Sequence, residues 1–473
     1  MTWLESFFLI YFILLNAGYF LLNLLSLLSL WRYMESRSLD DLPQTFFGFD
    51  QPISLLVPAY NEERVVVASV RSLLQLNYPK FEIIVINDGS SDATLAALTR
   101  EFALQPFPEV LRKQLPCAEI RGVYSSGIYP DLRVVDKENG GKADALNAGI
   151  NVSRFPLFCG IDADSILQRD ALLRVVQPFL DDPRTIAAGG TVRVANGCRI
   201  AHGMLESVGL PASWLARFQI VEYLRAFLFG RLGWSAINAV LIISGAFGLF
   251  RKNVVIEAGG YRADTVGEDM ELILRLHRRF AGQRDRYRIA YVPDPLCWTE
   301  VPESVDVLRR QRVRWQRGLA DSLTMNRGLL FNPGAGSAGW LAFPFYLFFE
   351  FLGPVIETTG YALFIVGFCV GVVSWEAFRT FLFVAVSFGV MLSVTALFIE
   401  EVSFRLFPRL WDVARLFVAA LAENFGYRQL VALWRLQGLV RWAFGLHQPW
   451  GAMTRTDALR SGVKETPDDT PPP

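Results

Sequence analysis

Residues 7–31 contain no charged side chain, and nothing else in the chain limits its folding as strongly. About 20 apolar residues in a helix cross a hydrocarbon layer of about 30 Å, so the stretch predicts a transmembrane helix over residues 1–31. A cleaved leader is not expected, because Glu5 stands where a basic leader would be and no small-residue cleavage site follows. Arg32 and Arg37 come directly after the span. By the positive-inside rule they put the next domain in the cytosol and the chain in an inner or plasma membrane.

The rest of the chain cannot be all membrane. Of its 473 residues 52% are hydrophobic but 19% are charged, which predicts a soluble domain with its own core plus several membrane segments. Lys+Arg and Asp+Glu balance at 46 each, so bulk charge gives no hint of nucleic-acid binding. Cys117, Cys159, Cys198, Cys297 and Cys369 form no CxxC pair and read as buried thiols in a reducing compartment.

A polar connector over residues 32–50 leads into one α/β domain over residues 51–333. Ile53-Ser54-Leu55-Leu56-Val57-Pro58 reads as a buried strand, residues 62–76 follow with helical spacing, and Phe81-Glu82-Ile83-Ile84-Val85-Ile86-Asn87 is a second strand. Strand, helix, strand with polar residues at the strand ends is the mark of a parallel sheet, and such sheets bind ligands at their carboxyl edges. After residue 333 the composition turns apolar. Residues 334–400 predict an interfacial or re-entrant helix broken at Gly353-Pro354, then spanning helices, one of them over residues 381–399. Glu350 and Glu357 on the broken helix either line a polar path or, the favoured reading, face headgroups or the domain above. Residues 401–455 mix apolar residues with Glu423, Arg428, Arg435 and Arg441 and read as interfacial helices. Residues 456–473 form a Pro/Asp tail expected to be disordered.

The chemistry clusters at the strand ends. Cys159-Gly160-Ile161-Asp162-Ala163-Asp164 sets two carboxylates one residue apart after an apolar strand, where both can converge on one hard divalent cation and leave positions open for diphosphate oxygens. Capping turns also produce Asp-x-Asp, so placement after a third buried strand is what adds weight. Pro58-Ala59-Tyr60-Asn61-Glu62 and Asn87-Asp88-Gly89-Ser90-Ser91-Asp92 read either as turns and helix starts or as a nucleoside site. In that site Tyr60 stacks a base while Glu62 and Asp88 hold base and ribose. Gly140 and Gly141 allow close backbone approach, and Lys142 begins a helix where its ammonium can offset diphosphate charge; a solvated lysine after a loop fits the spacing as well. Gly267-Glu268-Asp269 opens a helix, and a carboxylate there serves either as a cap or as the base that takes an acceptor proton. Five arginines fall between residues 309 and 317. Gln311, Arg314 and Trp315 share one helix face there, suited to a sugar stacked on the indole and a phosphate on the guanidinium.

As an ordered set these elements resemble the family 2 glycosyltransferases of the processive, membrane-integrated kind, the cellulose, chitin, hyaluronan and poly-N-acetylglucosamine synthases. The resemblance covers residues 53–318 and includes Ser244-Gly245-Ala246. It implies a GT-A-type, Rossmann-like α/β domain, a UDP-sugar donor, inversion by single displacement, and Mg²⁺ or Mn²⁺ on Asp162 and Asp164. It further implies Tyr60, Glu62 and Asp88 around the uridine, Lys142 facing phosphate, and Gln311 with Arg314 near the diphosphate. Asp269 would be the general base, Ser244 and Gly245 would line the acceptor path, and Trp315 would stack the acceptor. Trp450 and Arg455 resemble part of a gating loop. The acceptor would be a growing polysaccharide, with membrane lipids and other secretion or polymerisation proteins as further partners. The alternatives are a non-processive transferase that adds one sugar to a lipid, and an inactive scaffold, against which the intact acidic set argues. Residues 101–133 exceed the usual spacing and their role is open. The low number of spans departs from synthases that translocate their own product.

Overall fold

Short runs of buried β-branched residues assemble into a ten-stranded sheet in the computed structural model, which describes residues 3–39, 51–108, 112–201, 203–283 and 287–446. The strands are β1 (Ile53–Ala59), β2 (Phe81–Asp88), β3 (Leu104–Pro106), β4 (Ile120–Ser126), β5 (Leu132–Lys137), β6 (Leu157–Ile161), β7 (Ile166–Leu167), β8 (Thr185–Val194), β9 (Arg199–Ala201), β10 (Met204–Ser207), β11 (Phe247–Arg251) and β12 (Arg288–Thr299). The main sheet runs β3-β4-β5-β2-β1-β6-β11-β8-β12-β7, and β9 and β10 pair separately. Its parallel half, β5-β2-β1-β6, is in register, with Ala59 opposite Asn87 and Asp88 opposite Lys137. That register brings three polar strand ends to one edge. The sequence left residues 101–133 open. They supply β3, β4 and the start of β5, an antiparallel extension of that edge.

Helices cover both faces. Residues of β1 alternate between two apolar clusters: Leu56 packs on one side with Ile84 and Ile150, and Leu55 and Val57 pack on the other with Val70 and Leu98. The helix expected over residues 62–76 is shorter, Val66–Leu73. Asn61 takes a left-handed backbone (φ 56°), and the carbonyl of Glu62 accepts from the amides of Val65 and Val66, so residues 62–65 turn before the helix begins.

Among the described residues two helices are long and apolar enough to cross a membrane, with windows Ser6–Glu35 and Val386–Ser403. A third span results if the bent pair Ala338–Phe351 and Gly353–Cys369 counts as one, with a 42° break. The sequence reading of a broken helix at Gly353-Pro354 matches that bend, and proline removes the backbone donor there. The first helix is Trp3–Leu39, so the expected connector over residues 32–50 begins as helix. No glycine or proline interrupts residues 32–39. This helix docks on the helix Arg231–Ala236, where a Cβ at Gly233 would lie 2.6 Å from the Leu22 carbonyl.

Residues expected at a membrane surface also pack on the α/β domain. The helix Tyr427–Ala443 lies along Val305–Met325: the Arg435 Nε donates to Gln316 (2.8 Å) and the Trp442 indole to Asp321 (2.9 Å). Glu350 pairs with Arg435 at 2.7 Å and accepts from the Tyr19 hydroxyl, so its charge is met by neighbouring helices. Glu423 is fully buried against Arg225. Charges that would pair at long range cannot be told in sequence from charges that meet water. All five cysteines are free, but only Cys159 and Cys297 are buried, while Cys117 and Cys198 are half-buried and Cys369 is exposed. The expected gating-loop residues Trp450 and Arg455, and the tail over residues 456–473, lie outside the described residues.

Candidate active site

The nucleoside-side turns are knit together first. The Asn61 amide donates to Ser90 Oγ (3.0 Å), and the Ser91 amide donates back to Asn61 Oδ1 (2.8 Å). The Glu62 amide donates to Thr94 Oγ1 (2.9 Å). Tyr60 is left 52% exposed at this edge, and Glu62 is half-buried.

Asp88 sits differently from the expectation of a side chain turned to a ligand. It is 3% exposed, and its carboxylate accepts from Lys137 Nζ and from the amides of Gly140 (3.0 Å) and Gly141 (2.8 Å). Lys137 is wholly buried and also pairs with Asp144 at 2.6 Å. Burial pulls the Lys137 ammonium down, but Asp144 and Asp88 outweigh it and hold the group above its ordinary pKa. A buried ammonium needs such counter-charges, so Asp88 fixes the 138–141 turn that delivers Lys142. In the sequence Lys137 merely ends a strand that also holds Arg133 and Asp136, so nothing marks its burial. Gly89, with φ 67°, allows that turn to close, since a Cβ there would meet the Asn139 amide nitrogen at 2.6 Å.

Lys142 then joins the remaining motifs. It opens the helix Lys142–Val152 and donates to Asp162 Oδ1 and to the Gly245 carbonyl (3.2 Å). Gly245 in turn donates its amide to Asp269 Oδ2 (3.1 Å). Glu268 Oε1 lies 3.9 Å from the same ammonium. Burial depresses the Lys142 pKa, yet Asp162 and Glu268 reverse this and raise it. Burial pushes Glu268 up to about 7, with Lys142 opposing and Asp269 adding to the rise. Ser244 and Tyr261 line the same small cavity. Asn147 pins Tyr261 by accepting from its amide (2.8 Å) and donating to its carbonyl (2.9 Å).

Asp162 and Asp164 flank buried Ala163 directly after fully buried β6 and are themselves half-buried. Two adjacent carboxylates at an open strand end are a suitable donor set for a hard divalent ion whose other positions go to phosphate or water. Among the described residues no group of three or more His, Cys, Asp or Glu side chains converges on one metal position.

The helix Val305–Met325 carries Gln311, Arg314 and Trp315. Gln311 is 8% exposed, and its side-chain oxygen has no partner among the described residues; Trp315 is 38% exposed and Arg314 is half-buried. This helix reaches Asp269 through backbone. A Cβ at Gly267 would lie 2.7 Å from the Gly318 carbonyl oxygen, and Ser322 Oγ donates to the Gly267 carbonyl at 3.2 Å. Gly318 was not singled out from the sequence, although a glycine inside a long helix is a signal for close packing.

The sequence profile described as "Glycosyltransferase like family 2" matches residues 51–318, the segment that holds the motifs from Pro58 to Trp315. The poly-beta-1,6-N-acetyl-D-glucosamine synthase of Staphylococcus aureus is 33% identical over 268 residues, covering 56% of this chain and 54% of that protein. The Staphylococcus epidermidis synthase of the same name is 33% identical over 267 residues with the same coverage. The chain thus spans about half the length of the curated relatives it matches. Among solved structures, the mannosyltransferase PcManGT from Pyrobaculum calidifontis in complex with GDP-Man and Mn2+ aligns with 90% of this chain and 99% of its own, at 20% identity and a TM-score of 0.49. With the profile matching more than half of its length, this chain belongs to the family 2 glycosyltransferases and carries their GT-A-type α/β domain.

Proposed function

We propose that the chain transfers a sugar from a UDP-sugar to the end of a growing polysaccharide at the cytosolic face of a membrane, with inversion at the anomeric carbon. The observation that carries this is the contact chain Asp162–Lys142–Gly245–Asp269. It joins Lys142, Asp162 and Asp269 around Gly245, which supports a diphosphate-side cation close to a candidate base.

On this reading Tyr60 and Glu62 line the nucleoside end, with Asp88 acting through the 138–141 turn. Asp162 and Asp164 would hold Mg²⁺ or Mn²⁺, which when bound neutralises the diphosphate of the departing UDP. Lys142, Gln311 and Arg314 add positive charge and hydrogen bonds at that diphosphate. Ser244, Gly245 and Trp315 orient the acceptor. Asp269 takes the proton of the acceptor hydroxyl while its oxygen bonds to the anomeric carbon, and the anomeric carbon–phosphate oxygen bond breaks with its electron pair leaving on UDP. A carboxylate fixed by the Gly245 amide at 3.1 Å and the Met270 amide at 2.8 Å is held in one orientation before the acceptor arrives.

The catalytic unit is residues 51–333, held against the bilayer by Trp3–Leu39 and by the helices after residue 338. The relatives named above make N-acetylglucosamine the first donor to try. The test is UDP release by the purified full chain across a panel of UDP-sugars, followed by sizing of the product. A ladder of long chains supports the proposal. A single sugar on lipid replaces it with the one-step reading, and no UDP release with any donor refutes transfer.

A further inference from the structure

Trp315 does not stand alone on its helix. Arg312, one turn earlier on the same face, lies over the indole with its guanidinium carbon 4.4 Å from the ring centroid. Arg312 is 3% exposed, so its charge needs a partner, and it donates to Glu222 Oε2 at 2.9 Å. The same Glu222 oxygen accepts from the Tyr427 hydroxyl at 2.8 Å. Glu222 lies in Trp214–Tyr223, and Tyr427 is the first residue of Tyr427–Ala443. Three helices far apart in sequence therefore meet behind one exposed aromatic ring. The guanidinium covers one part of the indole, and 38% of Trp315 stays open.

We infer that Glu222 and Arg312 are positioning residues for acceptor binding: Glu222 fixes Arg312, and Arg312 fixes the plane of the Trp315 ring on which the acceptor sugar stacks. The inference rests on the reading of Trp315 given above. An indole on a mobile rotamer binds a sugar face weakly, because stacking must also cover the cost of ordering the ring. A ring pre-set by a cation that is itself ion-paired avoids that cost. Tyr427 adds a link to the helices after residue 410, so the acceptor side of the site is braced by the membrane-proximal part of the chain.

The experiment uses the full-length protein in lipid nanodiscs with UDP-N-acetylglucosamine and a short β-1,6-linked N-acetylglucosamine oligomer as acceptor. Glu222→Gln, Arg312→Gln, Arg312→Lys and Trp315→Ala are compared, each checked by a thermal melt. Glu222→Gln and Arg312→Gln are expected to raise the acceptor KM about ten-fold while the donor KM stays at the wild-type value. Arg312→Lys, which keeps a cation over the ring, restores most of the loss. A merely structural role would instead move both KM values and the melt together, without rescue by lysine, and that pattern overturns the inference. So does an acceptor KM that rises in Trp315→Ala but not in Glu222→Gln or Arg312→Gln. If Trp315→Ala itself leaves the acceptor KM unchanged, the stacking role fails and the inference falls with it. Should Arg312→Gln not fold, the near-isosteric Glu222→Gln decides the question alone.

Discussion

Gly267 and Gly318 meet backbone to backbone: a Cβ on the first would lie 2.9 Å from the Cα of the second. The contact joins the helix that begins at Glu268 to the helix that carries Trp315, so the two helices meet at this point with no side chain between their backbones. Gly318→Ala should push these helices apart at a cost of about 1–3 kcal/mol. Sugar transfer is expected to fall more than UDP binding, because on the proposed reading only Gln311 and Arg314 of the donor contacts ride on this helix. Calorimetric UDP affinity and a transfer assay on the same preparation check this, and full transfer activity in Gly318→Ala would show the contact to be incidental.

Asp269→Asn keeps the size of the side chain and can still accept from the Gly245 amide through its oxygen, but it cannot take a proton. Transfer should drop by about 10²–10⁴-fold, the usual contribution of a general base, with UDP affinity nearly intact. Turnover close to wild type would move the base elsewhere in the cleft.

Asp164→Ala removes half of the proposed metal pair. Manganese-dependent UDP binding should weaken, and addition of a chelator to the wild-type protein should have the same effect. Identical UDP titrations for variant and wild type in Mn²⁺ would remove Asp164 from the metal site.

What could be read in the sequence was whatever is local. β1 and β2 announced themselves as apolar runs ending in polar turns, and the helices at Lys142 and Glu268 began where their motifs placed them. Pairings across long sequence distances were hidden. Asp88 looked like a ligand-facing carboxylate because Lys137, 49 residues away, carries no mark of burial. Glu222 and Arg312, 90 residues apart, carry nothing in the sequence that links them. Arg435 and Glu423 suggested an amphipathic surface, since charge in sequence says nothing of whether its partner is water or a buried opposite charge.

The triad around Lys137 makes a stability prediction. Lys137→Met leaves Asp88 and Asp144 facing each other without a counter-charge, and breaking a buried pair by removing one partner costs about 3–5 kcal/mol. The 138–141 turn loses its anchor in the same step, so UDP binding should fail even below the melting temperature. A variant that melts and binds UDP as the wild type does would mean that the two carboxylates are satisfied by other groups.

Acid should destabilise the catalytic domain through His277, which is fully buried in the helix Glu268–Arg279. Its Nε2 lies 2.8 Å from the Val240 carbonyl and its Nδ1 lies 2.9 Å from the Tyr287 hydroxyl. A carbonyl only accepts, so Nε2 carries the hydrogen and Nδ1 accepts from the tyrosine, which is the neutral ring. Burial holds the folded pKa down at about 4, against about 6.5 in the unfolded chain. The folded value is the lower one, so the unfolded chain binds the extra proton first; the contribution is complete above about pH 6.5 and is lost as pH falls toward about 4. At about pH 5.5 the loss should reach about 1.4 kcal/mol from this residue alone. Thermal melts of wild type and His277→Gln across that window measure it: the wild-type melting temperature should fall more steeply with acid than that of the variant, whose side chain does not titrate. Parallel slopes would assign the acid sensitivity to other groups.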